Sequence, residues 1–201
     1  FIATKVLINH GLTPQEIFFY RFLIAYIGIW AISPKHLFAD NLKDELWLVA
    51  GGVFGGSLYF FTENTALGIT QASNVAFIIC TAPLLTTILS LLFYKSEKAT
   101  KGLIYGSLLA LIGVGLVVFN GSVVLKLSPV GDLLTLLAAL SWAFYSLVIK
   151  RMTGRYPTVF ITRKIFFYGV LTILPAFLLH PLQPDFDVLL QPLVLSNLLF
   201  L

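Results

Sequence analysis

Residues Asp132 to Met152 read DLLTLLAALSWAFYSLVIKRM, and the seventeen residues between Asp132 and Lys150 carry no charge. A helix of that length rises about 26 Å, close to the thickness of a bilayer's hydrocarbon core. Asp132 follows Gly131 and is a residue type that caps helix N-termini, while Lys150 and Arg151 close the run at its other end. The stretch therefore reads as a membrane-spanning helix, and the same pattern recurs to either side of it.

Working outward, apolar runs separated by short polar breaks predict a first helix over about 1–10, then helices at about 14–33, 44–69, 71–93, 102–119, 132–152 and 158–179, with an eighth beginning near Asp187. The breaks carry turn formers: Gly11 to Pro14, Ser33 and Pro34, Asn120 to Ser122, Ser128 and Pro129, Gly154 to Pro157, and Pro181 to Pro184. No extramembrane domain is left over. The chain begins at Phe1 without an initiator Met and ends inside the apolar run Val194 to Leu201, so it is expected to be part of a longer protein.

Composition agrees with this reading. Of 201 residues, 58% are apolar and 11% charged, with a mean hydropathy of +0.94, whereas soluble domains carry roughly 25% charged residues. That argues against a soluble enzyme, a disordered linker or a nucleic-acid module. A single cysteine, Cys80, rules out an intramolecular disulfide, and His10, His36 and His180 stand too far apart in sequence to suggest a metal site. No cofactor, metal or nucleic-acid partner is expected.

The net charge of +4 is mostly topological. Lys35, Lys43, Lys95, Lys98, Lys101, Lys150, Arg151 and Arg155 all fall in loops on one side of the expected helices, against Lys126 alone on the other, where Asp185 and Asp187 also lie. Cytoplasmic loops concentrate Lys and Arg, so the first break faces outward and the second inward.

Shifting the chain by 143 residues aligns Gly11 with Gly154, Pro14 with Pro157, Arg21 with Lys164 and Asp44 with Asp187, and Phe1 with Phe144. Five helices separate the paired positions, so a second copy would be inverted, an arrangement that recurs in secondary transporters. The expected fold is all-α: a polytopic membrane protein with an inverted repeat of two five-helix units. Residues 1–120 would form the first unit and 131–201 the start of the second, about seven and a half of ten helices.

Charges inside the spans are the candidates for function. Lys5, Arg21 and Glu63 lie about 9, 10 and 7 Å from the Gly11, Pro14 and Gly68 ends of their helices, which puts all three at one depth in the outer half of the membrane. A charge in hydrocarbon costs roughly 2.5–3.5 kcal/mol near the centre of the span, so a shared cavity or mutual pairing is expected; a structural ion pair or snorkelling lysine is the plainer alternative. Asn64, beside Glu63, joins the candidate set. Arg163 and Lys164 are adjacent and point about 100° apart, so both cannot leave by the same route. Trp142 sits about 15 Å along its helix, away from an interfacial belt, and with Ser141 and Tyr145 either lines a cavity or packs as an aromatic core. Pro83 predicts a kink that frees the carbonyl of Ile79. The pairs Gly51 with Gly55, Gly52 with Gly56 and Gly102 with Gly106 read as close-packing surfaces.

The run Gly131 to Tyr145 with Trp142 inside it, the segment from Lys5 through Pro14 to Arg21 and Ala25, and Ala72 to Ala76 leading to Pro83 and Glu97 together resemble the EamA-type domains of the drug/metabolite transporter superfamily. The resemblance covers essentially the whole chain. It implies ten helices in two inverted repeats, a cavity bounded partly by the first helix of each repeat, with Lys5, Trp142 and Tyr145 near it, and transport of amino acids, other metabolites or toxic compounds across the bacterial inner (plasma) membrane. The favoured function is secondary, ATP-independent transport of a small polar or amphipathic solute such as an amino acid, or of a drug-like compound, by alternating access. Glu63 is then the partner of a proton or a substrate amine, and Arg21 or Lys5 that of a carboxylate, with Lys164 as the second-repeat counterpart of Arg21. An organic-anion or nucleotide-sugar exchanger would use the surplus of buried basic residues. A membrane-embedded enzyme or structural subunit and a channel are further alternatives, but the sequence has no Gly-x-Ser-x-Gly nucleophile motif, metal motif or filter-like segment.

Overall fold

A computed structural model describes residues 1–32, 37–94, 100–119, 128–179, 181–182 and 185–201. The loop cations Lys35, Lys95, Lys98 and Lys126, together with Ser33, Pro34, His36, Glu97, His180, Pro184 and the break at 120–122, lie outside the described residues.

The described residues form a bundle of helices. α1 spans Ile2–Asn9 and α2 Pro14–Ile32. Gly11 adopts φ +94° between them, and the amides of Gly11 and Leu12 bond back to the carbonyls of Ile8 and Leu7, a left-handed helix stop that suits glycine. Thr13 then opens α2. Its hydroxyl and amide donate to Glu16 at 2.7 and 2.9 Å, a reciprocal cap with Pro14 at the first helical position.

The expected 44–69 helix is α3 (Leu42–Gly52) and α4 (Leu58–Ile69), joined by a π-helical turn, Val53–Ser57. Such a turn inserts one extra residue and rotates α4 about its axis relative to α3. The expected 71–93 helix is α5 (Ala72–Ile79) and α6 (Ala82–Phe93), broken at Cys80 and Thr81; Pro83 stands in the first turn of α6, and the Thr81 hydroxyl donates to Ile78 O at 2.7 Å. α7 covers Lys101–Phe119. α8, Pro129–Thr153, starts three residues before Asp132: Ser128 is the cap, and its amide donates to the Asp132 carboxylate at 3.3 Å. α9 (Thr158–Ile173) stops before Pro175, which lacks an amide donor, and α10 (Ala176–Leu179) continues after it. The helix expected near Asp187 is a short α11, Phe186–Leu189, with α12, Pro192–Phe200, after it. Among the described residues Pro14–Ile32, Ala72–Phe93, Pro129–Thr153 and Thr158–Leu178 are long and apolar enough to cross a membrane.

α8 occupies the middle, packed on α3, α4, α5 and α6, while α9 lies against α2, α3 and the π turn, and α1 against α12. Lipid tails are as apolar as leucine, so close packing rather than water exclusion holds such helices together. Glycines set the closest approach. A Cβ on Gly52 would stand 2.4 Å from Tyr168 Cβ and 2.9 Å from the Gly169 amide nitrogen, and one on Gly56 would stand 3.2 Å from Gly169 Cα. Among the described residues the Gly102 and Gly106 pair does not pack as expected: an added Cβ at either meets none of them within 4 Å. Gly52→Ala is expected to cost about 1–3 kcal/mol through overpacking, whereas Gly106→Ala should be neutral or gain up to about 1 kcal/mol in helix propensity. Thermal melts of the two variants in detergent check the contrast; equal melting temperatures would mean that the α3–α9 contact tolerates a methyl group.

Candidate functional site

Three helices bring the sequence candidates together. On α4, Tyr59 and Glu63 are one helical turn apart, and the tyrosine hydroxyl donates to Glu63 Oε1 at 2.7 Å in a site where both residues are buried. From α8, the Trp142 ring lies 5.0 Å from the Tyr59 ring and 5.0 Å from the Tyr145 ring. From α2, the Arg21 guanidinium stands over Phe60 at 4.5 Å from its centroid, and Phe60 meets Tyr59 edge-on at 4.7 Å. Arg21 acts electrostatically on both Glu63 and Tyr59, yet among the described residues it makes no direct ion pair with Glu63. A carboxylate has about four acceptor sites and a guanidinium five donors, so each keeps capacity for a further partner. Trp142 is 39% exposed, so its ring is only partly enclosed by this chain.

The π turn positions this cluster. A Cβ on Gly55 would fall 2.2 Å from Tyr145 Cδ2, so the glycine leaves the space the ring occupies. Ser141 is buried and donates to the Phe54 carbonyl at 2.8 Å, fastening α8 to the turn. Sequence reading assigned Gly55 to packing alone; the ring it accommodates is on another helix.

The remaining candidates have other partners. Lys5 donates to the carbonyl of Leu67 and, at 3.4 Å, to that of Thr70, so it closes the C-terminal end of α4 rather than joining Arg21 and Glu63. This is the favourable place for a cation at a helix terminus. Asn64 is buried and donates to Pro14 O at 3.3 Å, a tie between α4 and the start of α2. Pro83 is exposed, at the break between α5 and α6.

Lys164 belongs to a second cluster near the opposite end of α3. Its ammonium pairs with Glu45 and donates to Leu37 O at 3.0 Å and to Tyr168 at 3.3 Å; Tyr168 also donates to Glu45, and Ala39 N donates to the other Glu45 oxygen at 2.6 Å. Alongside it, Asp44 accepts from Arg155 at 2.9 Å, Tyr156 at 3.1 Å and Asn41 at 2.9 Å. Sequence reading missed Glu45, because an Asp-Glu pair at a helix start looks like an N-terminal signal. The available clue was Lys164 and Tyr168, four residues apart on one stripe of α9. Arg163 is buried as well, over the Phe160 ring at 5.5 Å.

A profile of the EamA-like transporter family matches residues 1–119, more than half of the chain. The chain belongs to the EamA-like transporter family. An uncharacterized transporter of Bacillus subtilis, YdfC, is 32% identical over 149 residues, covering 73% of this chain and 47% of that protein. Uncharacterized transporters of Clostridium kluyveri and Archaeoglobus fulgidus are 26% and 27% identical, over 86% and 87% of this chain and 58% and 61% of theirs. The chain thus spans about half the length of these relatives. A solved crystal structure superposes with a TM-score of 0.67 at 18% identity, over 98% of this chain and 69% of that one, which establishes a shared fold. The EamA family is one of transporters rather than enzymes, and its apolar helices make this chain an integral membrane protein of the bacterial plasma membrane.

Proposed function

We propose that this EamA-family protein is a secondary transporter, working by alternating access, for a small amphipathic metabolite carrying both an amine and a carboxylate, with amino acids as the leading class and drug-like amines as outliers. The observation that carries the reading is the meeting of Arg21, Tyr59, Glu63, Trp142 and Tyr145 from three helices. In this reading Glu63 receives the amine or a coupling proton, Arg21 the carboxylate, and the aromatic rings the apolar part of the solute.

The organic-anion or nucleotide-sugar alternative has weaker support. Lys164 is paired with Glu45 and Lys5 donates to two carbonyls, so two of the cations counted along the sequence already have partners within the chain. An inverted repeat remains part of the proposal, with units over 1–120 and 131–201. Supporting it, the aligned residues Arg21 and Lys164 each sit in one of two charge clusters at opposite ends of the α3–α4 segment.

A thermal-shift screen of the purified full-length protein tests the reading, because a ligand at 100 times its Kd stabilises by about 2.7 kcal/mol. Amino acids with apolar side chains are expected to raise the melting temperature, more so than nucleosides. A shift with phosphorylated metabolites alone would overturn the proposal in favour of an organic-anion carrier.

A further inference from the structure

A cavity of about 330 Å³ lies between α3, α6 and α8, and neither Arg21 nor Glu63 lines it. Its two ends differ in chemistry. At one, the Arg151 guanidinium stands over the Trp47 ring at 4.8 Å, with Tyr94 close by. At the other, Phe54 and Phe144 stack at 5.3 Å. Phe144 precedes Arg151 by seven residues on α8, and Phe54 comes seven after Trp47, from α3 into the π turn, so the cavity runs about 10 Å along the helices from a cationic mouth to an aromatic floor.

Arg151 is half-buried at the mouth; its Nε is enclosed by the protein and has no hydrogen-bond partner among the described residues, so binding there falls to the terminal guanidinium nitrogens. The planar guanidinium is suited to phosphate oxygens. The mouth also lies at the end of the bundle that the Lys- and Arg-rich loops assign to the cytoplasm. Trp47 and Tyr94 are the residue types that mark the headgroup level there, and the cytoplasmic leaflet is where anionic lipids attract basic side chains.

We propose that this cavity seats one anionic phospholipid of the cytoplasmic leaflet, its phosphate on Arg151 and part of an acyl chain against Phe54 and Phe144. A zwitterionic solute fits poorly, because among the described residues no carboxylate lines the cavity to receive an amine. The lipid would fasten α3 to α6 and α8 next to the π turn, and so would stabilise the helices that carry the proposed transport site without entering it.

The test compares phosphatidylglycerol with phosphatidylcholine of identical acyl chains, each added to the purified full-length protein in detergent. Phosphatidylglycerol is expected to raise the melting temperature by about 2–4 °C or more beyond phosphatidylcholine. Arg151→Gln should abolish that difference, and Arg151→Lys should retain part of it. Native mass spectrometry of the unaltered protein gives a reading that needs no variant: phosphatidylglycerol should remain bound at higher collision energy than phosphatidylcholine. Equal behaviour of the two lipids, an undiminished shift in Arg151→Gln, or the same shift from inorganic phosphate alone would each overturn the proposal. Failure of the transport reading would leave these outcomes unchanged, since they do not involve Glu63 or Arg21.

Discussion

Glu63→Gln is expected to lower uptake of the transported solute by about 10- to 150-fold at low solute concentration while leaving the protein folded. The glutamine keeps the side chain's shape and an oxygen able to accept from Tyr59, now 2.7 Å from Glu63 Oε1. What it removes is the charge. Hydrogen bonds to charged groups contribute about 1.5–3 kcal/mol, which corresponds to that range of affinity. Because Glu63 is only 6% exposed, water cannot supply the missing charge complement cheaply. Counterflow in proteoliposomes, run beside a melting curve, separates loss of transport from loss of fold. Flux equal to that of the unaltered protein would remove Glu63 from the site, and with it the reason for pairing Arg21 to the solute.

Lys164→Met is expected to be the most destabilising single change at the other end of α3. The ammonium is 4% exposed and its partner Glu45 is 14% exposed, so removing the lysine strands a carboxylate in a low-dielectric site. Breaking a buried pair from one side costs about 3–5 kcal/mol, which lowers the melting temperature of a chain of this size by about 6–20 °C. Glu45→Gln together with Lys164→Met should recover most of the loss, because the stranded charge is then gone as well. In the double variant the single glutamine oxygen can accept from the Ala39 amide while its NH2 donates to the Tyr168 hydroxyl, so both contacts persist with the Tyr168 bond reversed. A single variant that melts within about 2 °C of the unaltered protein, below the shift expected for even a 1 kcal/mol loss, would show that Glu45 finds water on its own.

The candidates from sequence divide according to what they touch. Arg21, Glu63, Trp142 and Tyr145 come together, and the depth argument placed Arg21 and Glu63 at one level because rise per residue is a local property of a helix. Lys5 was placed at the same depth, but its long side chain reaches the Leu67 and Thr70 carbonyls instead. Depth constrains how far along the membrane a charge lies, and not which way around the helix it points relative to its neighbours. The same gap explains Gly106, whose spacing from Gly102 imitates a packing surface although an added Cβ there meets nothing within 4 Å among the described residues.

By itself, the sequence determined that the chain spans a membrane with many helices, where most of them begin and end, which loops carry the positive charge, and which charged residues remain inside. Length, hydropathy and capping residues act within one helix, so they can be read along the chain. Only the tertiary structure decided that Lys164 closes on Glu45, 119 positions away, that Gly55 clears room for Tyr145, and that the π turn comes between Gly52 and Tyr59. In a water-soluble bundle an apolar stripe would have pointed each helix toward its core. In lipid both faces are apolar, so the rotation of each helix is settled by contacts between side chains far apart in sequence.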